Sequence, residues 1–444
     1  MTARFILFFA ASLGLAHATP VLPAARQQKP ILLRGGTVVP VSGPVLPRGD
    51  VLLVDGRIAQ VGPSVAAPAG AEIVDVQGKH VYPGFVAAQT VLGLAEIGSA
   101  RQTIDHGEIG LLNPNARTQT AINPDSDLIP VARANGVLTA LVVPTERAPG
   151  ATRPALIAGL STLIRLDGWT WEDLTLRAPV ALHIYWPAMR LNRDAKSAKS
   201  ASAQQKSIDE TVRLLDEAFA QARAYAKAKT GPAGAADTDL RWEAMQPVVR
   251  GERRVFIHAD EMKQIRAALA FARRHELKIV LVGGVDAWRV ADELKAAGVP
   301  VIIGSTQRLP LRRDDDFEAP YANPARLHAA GVTFCIANGL EGATDIGNER
   351  NLPYLAGRAA AHGLPREVAL RSVTLSAAEI LGVGGELGSL EPGKRATLMV
   401  TDGDPLEVVT QVTMAYIDGA RIDLRSRHTQ LYEKYDERLR RVKP

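Results

Sequence analysis

The sequence predicts an α/β protein: a (β/α)8 TIM-like barrel carrying a small β-sandwich built from both ends of the chain. Three observations lead there. Residues 51–62, VLLVDGRIAQVG, set alternating apolar strands around Asp55-Gly56, a dipeptide suited to a two-residue hairpin turn. A second such unit lies near the other end, where a strand at 396–401 is followed by 414–417, an Asp418-Gly419 turn and 420–423. Between them, short apolar strands alternate with helical stretches over roughly 250 residues, the pattern of a barrel.

A lone two-stranded hairpin is marginal in water, so the two terminal units are expected to pair with each other. This gives a signal peptide over 1–18, an amino-terminal sandwich segment over 31–82, the barrel over 83–383, a carboxy-terminal sandwich segment over 384–423 and a helical tail over 424–444. The first barrel strand lies in 81–93, VYPGFVAAQTVLG, and others follow at 137–143, 178–184, 254–258, 278–282, 299–303 and 332–337. Helical periodicity marks 125–135, 207–229, 261–275, 286–297 and 350–362. In the tail, Leu431 and Tyr435 are placed to pack a surface helix.

Composition excludes some classes. With 46% hydrophobic and 22% charged residues, the chain can bury a full core. A net charge of +5 is small for 444 residues, and no Lys/Arg run is interleaved with aromatics, so no nucleic-acid partner is expected. Arg4, the apolar run 5–15 and Ala16-His17-Ala18 form a signal peptide, which implies an exported protein, periplasmic or secreted. That run is too short to span a membrane, and no later segment spans one. The single cysteine, Cys335, lies in an apolar run and reads as a buried small hydrophobe.

The entry GKHVYPG (78–84) and the exit SAAEILGVGGELGSLEPGK (376–394), followed by ATLMVTDGDP (396–405), resemble the amidohydrolase superfamily, in its imidazolonepropionase-like branch. The resemblance covers essentially all of 31–423. It implies a barrel with its site at the carboxyl ends of the strands, hydrolysis of non-peptide carbon–nitrogen bonds, and a zinc centre. The implied ligands are two histidines two residues apart on the first strand, one histidine after each of the fifth and sixth strands, and an aspartate after the eighth. Two side chains at i and i+2 share one strand face, so both rings reach one metal.

In this chain the first pair of positions carries Gln89 and Val91, the fifth-strand position His258, the sixth-strand position falls near Gly283 and the eighth near Gly339. An isopropyl group cannot ligate, and an amide oxygen is a poor replacement for imidazole on zinc. The nine histidines, at 17, 80, 106, 183, 258, 275, 328, 362 and 428, include no pair at i, i+2 or i, i+4. No metal site and no cofactor are therefore expected, although zinc is usual for the family. An oxygen-rich site drawn from Asp105, His106, Glu108, Glu341, Asp345 and Glu349 competes with a reading of these as solvated loop charges.

The candidate catalytic residues are His258, which ends the strand VFIHADE, and Asp260 beside it; a histidine near a carboxylate suits general-base work, or else the position is inherited. The candidate ligand-binding residues are His183, in VALHIYW, and Asn338 and Arg350, flanking the eighth-strand loop; for His183 the alternative is a satisfied core histidine. Trp169 and Trp171 are placed either to wall a pocket or to pack under a loop, and 308–316, RLPLRRDDD, either as a solvated rim or as a recognition element.

Three functions follow: a protein with a degenerate metal site that binds a small polar or amide ligand, an active amide hydrolase using a non-standard site around His258, or an accessory subunit for a protein partner. The resemblance also implies a homo-oligomer or a related partner subunit.

Overall fold

The computed structural model describes residues 21–192, 199–230, 237–339 and 345–442. The leader expected over 1–18 lies outside the described residues, as do Glu341 and the side chain of Asp345.

The two ends of the chain meet in one sheet. Strands β1 (Ile31–Val38), β2 (Leu46–Val54), β3 (Arg57–Gly62), β4 (Glu72–Asp75) and β5 (His80–Pro83) come from the front. They are joined by three strands that follow the body in sequence, Leu398–Thr401, Val412–Ile417 and Ala420–Arg421. The seam is the antiparallel ladder between β5 and Leu398–Thr401, with Pro83 opposite Leu398 and His80 opposite Thr401. As expected, the two segments pair with each other: hydrogen bonding links all eight strands in one sheet. Leu33, Val51, Leu53, Val81, Leu398, Val400 and Tyr416 form its core.

Both Asp-Gly hairpins form as read. Asp55 and Gly56 have φ of 50° and 77°, and Asp418 and Gly419 have 48° and 74°. Successive left-handed residues make the turn whose twist matches paired strands. The two turns lie against each other, since a Cβ on Gly56 would stand 3.0 Å from the Asp418 carbonyl oxygen. Gln27 clasps the first turn: its Oε1 accepts from the Gly56 N–H at 2.8 Å and its Nε2 donates to the Leu53 carbonyl at 2.9 Å.

After Gly84 the chain enters the body. Its strands are β6 (Phe85–Thr90), β7 (Val137–Val142), β8 (Ile157–Leu160), β9 (Thr162–Arg165), β10 (Thr175–Arg177), β11 (Ala181–Tyr185), β12 (Arg254–Ala259), β13 (Ile279–Gly283), β14 (Val301–Ile303) and β15 (Phe334–Ile336). They form a four-stranded sheet, β10-β9-β7-β6, and a six-stranded one, β15-β14-β13-β12-β11-β8. Only Ser161 separates β8 from β9, so one bent segment belongs to both sheets. β6 runs parallel to β7, and β11 to β15 are parallel throughout.

The departure from strict strand–helix alternation is at β8 and β9, which run antiparallel to β11 and β7. No helix stands between β7 and β8. Without a crossover, a returning chain pairs antiparallel. Among the described residues no ladder joins β15 to β6. Instead the helix Leu375–Ile380 packs on both strands, and the Val86 N–H donates to the Val373 carbonyl at 2.9 Å.

Alternate residues of these strands face two cores. Val86, Leu141, Leu163, Phe256, Val280, Val282, Ile302 and Cys335 pack together on one side with the helix Leu375–Ile380. Val255, Ile257, Ile279 and Leu281 pack beneath the outer helix Met262–Arg274. Cys335 is fully buried, and burial raises its thiol well above the usual range, in keeping with an inert hydrophobe. A buried ion pair pins the start of the chain to the body: Arg133 Nη1 meets Asp167 Oδ1 at 2.6 Å, and Asp167 Oδ2 accepts from the Ala24 N–H at 2.9 Å. Breaking such a pair on one side costs about 3 to 5 kcal/mol.

Candidate functional site

The carboxyl ends of β6, β11, β12 and β13 open on a cavity of about 470 Å³. Gln89, Tyr185, His258, Asp260, Gly283 and Gly339 line its inner region; Glu146, Arg147, Arg153, Ser305 and Arg308 stand around the rest. Four of the five positions that the resemblance singles out, 89, 258, 283 and 339, thus border one space. The fifth does not: Val91 is buried in the main hydrophobic core. Strand alternation would have put 89 and 91 on one face, but the β6–β7 register shifts between Ala87 and Thr90, and Val91 lies past the end of β6.

His258 shares a face of β12 with Phe256 and turns into the cavity. Its Nε2 lies 2.9 Å from Nδ1 of His183, which is fully buried on β11. Tyr185, two residues beyond His183, stacks on the His258 ring at 3.9 Å and 13°, and its hydroxyl donates to the Pro144 carbonyl at 2.9 Å. Burial lowers His258 to about 3, and burial and then the neighbouring His258 hold His183 well below the usual imidazole range. Both rings are neutral at physiological pH.

One ring must donate in this pair, and we assign the proton to His183 Nδ1. The alternative would leave an N–H on His183 Nε2, a buried atom with no partner among the described residues. With that assignment the His258 lone pair is used within the pair and its remaining proton sits on Nδ1. His258 then offers the cavity a donor rather than a base.

Asp260 fills space that residue 283 leaves. Gly283 has a φ of +95°, and a Cβ there would stand 2.4 Å from Asp260 Oδ1. The backbone around Asp260 is held by Gln264, whose Oε1 accepts from the N–H groups of Asp260 at 3.2 Å and Glu261 at 3.0 Å. Gln264 Nε2 donates to the carbonyls of Trp186 and Pro187, both at 3.2 Å, which ties the ends of β11 and β12 together. Gln89 is buried and its Oε1 has no hydrogen-bond partner among the described residues. Such an orphaned acceptor costs about 1 to 3 kcal/mol unless a ligand or water satisfies it.

The loop 308–316 combines both readings made of it. Arg308 lines the cavity, whereas Arg312 is clamped by Asp286 at 2.9 and 2.6 Å. Burial opposes the charge on Asp286, but hydrogen bonds from Arg312 and the Met262 N–H outweigh it and hold the carboxyl below its usual range.

The structure does not bring every candidate together. His258 and Asp260 share the cavity and His183 is paired with His258 but sealed behind it, whereas Asn338 is buried just past β15 beside Gly339; neither His183 nor Asn338 is among the lining residues. Arg350 is a correction: it is exposed, its carbonyl accepts from Asn135 Nδ2 at 2.5 Å, and its Nη1 meets His428 Nδ1 at 2.9 Å, away from the cavity. Trp169 is exposed over a surface groove beside Ala24 and Asp167, not at the cavity.

Nor do the described members of the candidate oxygen-rich set converge; Glu341 and the side chain of Asp345 lie outside the described residues. His106 bonds Thr145 Oγ1 at 2.7 Å, Glu108 accepts from the Ile109 N–H, and Glu349 is buried. Among the described residues no three His, Cys, Asp or Glu side chains converge to hold a metal ion. A catalytic zinc needs about three protein ligands, so the described residues do not fit one. Sequence reading missed Tyr185 and Gln264; Tyr185 was detectable, because it lies two residues from His183 on one strand.

The family model described as Amidohydrolase family matches residues 181–422. An imidazolonepropionase of Micrococcus luteus is 26% identical over 388 residues, covering 82% of this chain and 90% of that protein. An amidohydrolase of Hapsidospora irregularis is 26% identical over 412 residues, 84% of this chain; the match spans only 39% of that longer relative. Among solved structures, an amidohydrolase from Thermotoga maritima superposes with a TM-score of 0.77 at 26% identity, covering 89% of this chain and 100% of the other. An adenosine deaminase from Xanthomonas campestris with bound zinc, at TM-score 0.51 and 18% identity over 95% of this chain and 100% of its own, shares the fold.

Proposed function

The chain belongs to the amidohydrolase family, whose fold is a TIM-type barrel, and on that premise we propose that it binds a small polar or amide molecule with the family's metal chemistry removed. One observation carries the reading. At the family's ligand positions the cavity presents Gln89, His258, Gly283 and Gly339, of which only His258 is a strong metal ligand, and its lone pair is engaged by His183. Asp260 and Glu146 also line the cavity without completing a set of three among the described residues. Metal-activated water, the usual source of a nucleophile in such sites, has no set of ligands among the described residues to hold the ion.

What remains suits recognition. Gln89 Oε1 accepts an N–H, His258 donates to a carbonyl, and the charged residues at the mouth meet polar substituents. The cavity volume falls in the range of small-molecule sites, about 300 to 1,000 Å³.

Metal analysis of the purified full chain tests the first half of the reading. We expect well under one equivalent of zinc, manganese or iron after dialysis, and about one tightly held ion per chain would sink it. Calorimetric titration with lactams, cyclic ureas and acylated amino acids tests the second half. A binder found in this set should lose about tenfold in affinity in Gln89→Leu, the worth of one buried hydrogen bond.

A second reading, metal-free amide hydrolysis with Asp260 as the base, rests on that carboxylate lining the same cavity. It requires turnover that Asp260→Asn abolishes. We also read the chain as exported, on the strength of Arg4 and the apolar run behind it. A mature protein that begins well before Ala18 in the producing cell would refute this.

A further inference from the structure

The C-terminal helix, Arg427–Val442, contains no buried residue. The sequence suggested that Leu431 and Tyr435 would pack it down, yet they are 40% and 50% exposed, with Tyr432 at 72%, Leu439 at 62% and Val442 at 72%. The helix is tied to the body at its first turn, where His428 Nδ1 meets Arg350 Nη1 at 2.9 Å and Arg427 lies 3.6 Å from Asp127.

The side chains are sorted around its axis. At 3.6 residues per turn, Leu431, Tyr432, Tyr435, Leu439 and Val442 fall within one stripe about 100° wide. Arg427, Lys434, Arg438 and Arg441 fall in a contiguous ridge along one flank of that stripe, about 60° wide. The acids Glu433, Asp436 and Glu437 lie on the far side. There Arg440 pairs with Asp436 at 2.6 Å, and Glu437 reaches Arg441 at 2.8 Å.

We propose that this face docks on an anionic lipid surface. An apolar stripe with two tyrosines and a parallel ridge of cations is the composition of a helix lying in a bilayer interface. The stripe enters the headgroup–acyl boundary, tyrosines sit at headgroup depth, and long cationic side chains reach up to lipid phosphates. The charge complementarity selects anionic headgroups. With 16 residues the helix is about 24 Å long, and no helix among the described residues is long and apolar enough to cross a membrane. It would lie on the surface as an anchor, whatever the cavity binds.

The test is co-sedimentation of the full chain with vesicles of phosphatidylcholine alone or mixed with phosphatidylglycerol. We expect binding at least about tenfold stronger to the anionic vesicles and weakened by salt. It should fall about tenfold or more in the double variant Lys434→Glu/Arg438→Glu, and be lost in Leu439→Asp. No stripe residue is buried, so these variants should keep the parent's unfolding midpoint. Absence of binding to anionic vesicles at low salt overturns the proposal. So does a concentration-dependent dimer abolished by Leu439→Asp without any vesicle binding, which would assign the face to a second copy of the chain.

Discussion

Glu349→Gln stabilises the protein at alkaline pH, by about 3 to 5 kcal/mol near pH 9, and has little effect near pH 4.5. Glu349 is 2% exposed, and its Oε1 has no partner among the described residues. Burial raises its acid from 4.5 to about 8, against the opposing hydrogen bond of Thr90. Between those two pH values the folded protein holds a proton that the unfolded chain has released. The neutral acid's contribution to stability is therefore complete below about 4.5 and declines as pH rises towards 8. Glutamine keeps the shape and cannot ionise, so the decline disappears. Urea unfolding midpoints of parent and variant across pH 5 to 9 measure it, and parallel pH profiles would refute the buried acid.

The second large effect is at the glycine beneath Asp260. Gly283→Ala places a methyl group 2.4 Å from Asp260 Oδ1 on a backbone at φ +95°. The left-handed backbone alone costs about 1 to 2 kcal/mol, and eviction of the carboxylate adds to it. We expect a total loss of about 2 to 4 kcal/mol and, for any ligand identified by titration, an affinity at least about tenfold lower. Adding Asp260→Ala to Gly283→Ala should restore some of the stability, because the two groups compete for one volume. Strict additivity of the two changes would show that they do not.

Much of the architecture was readable because it rests on local rules. The Asp-Gly turns and the apolar strands at 137–143 and 254–258 emerged where alternation and turn chemistry agree. Strands β8 and β9 were missed, since Gly159 and Ser161 interrupt the apolar run and the reversal of direction depends on a missing crossover helix. At the site, His258 and the vacant positions 283 and 339 were legible from the resemblance. The divergence of Gln89 from Val91 was not, because it depends on a register shift against a strand far along the chain. Glu349 and Arg350 show the limit of reading charge from sequence. They are adjacent, yet one is sealed inside and the other faces solvent, and only the packing around the short helical turn Asp345–Asn351 decides which.

The seam between β5 and Leu398–Thr401 has a consequence for biogenesis. β5 acquires its outer neighbour only when Leu398–Thr401 has been synthesised, so the amino-terminal strands must wait, with a bare edge, until residues 84–397 have been made. Unpaired edges template association with other chains, and pairings this distant in sequence form slowly. The nascent protein is thus most vulnerable to aggregation until Leu398–Thr401 emerges, and its dependence on chaperones should be concentrated before that point.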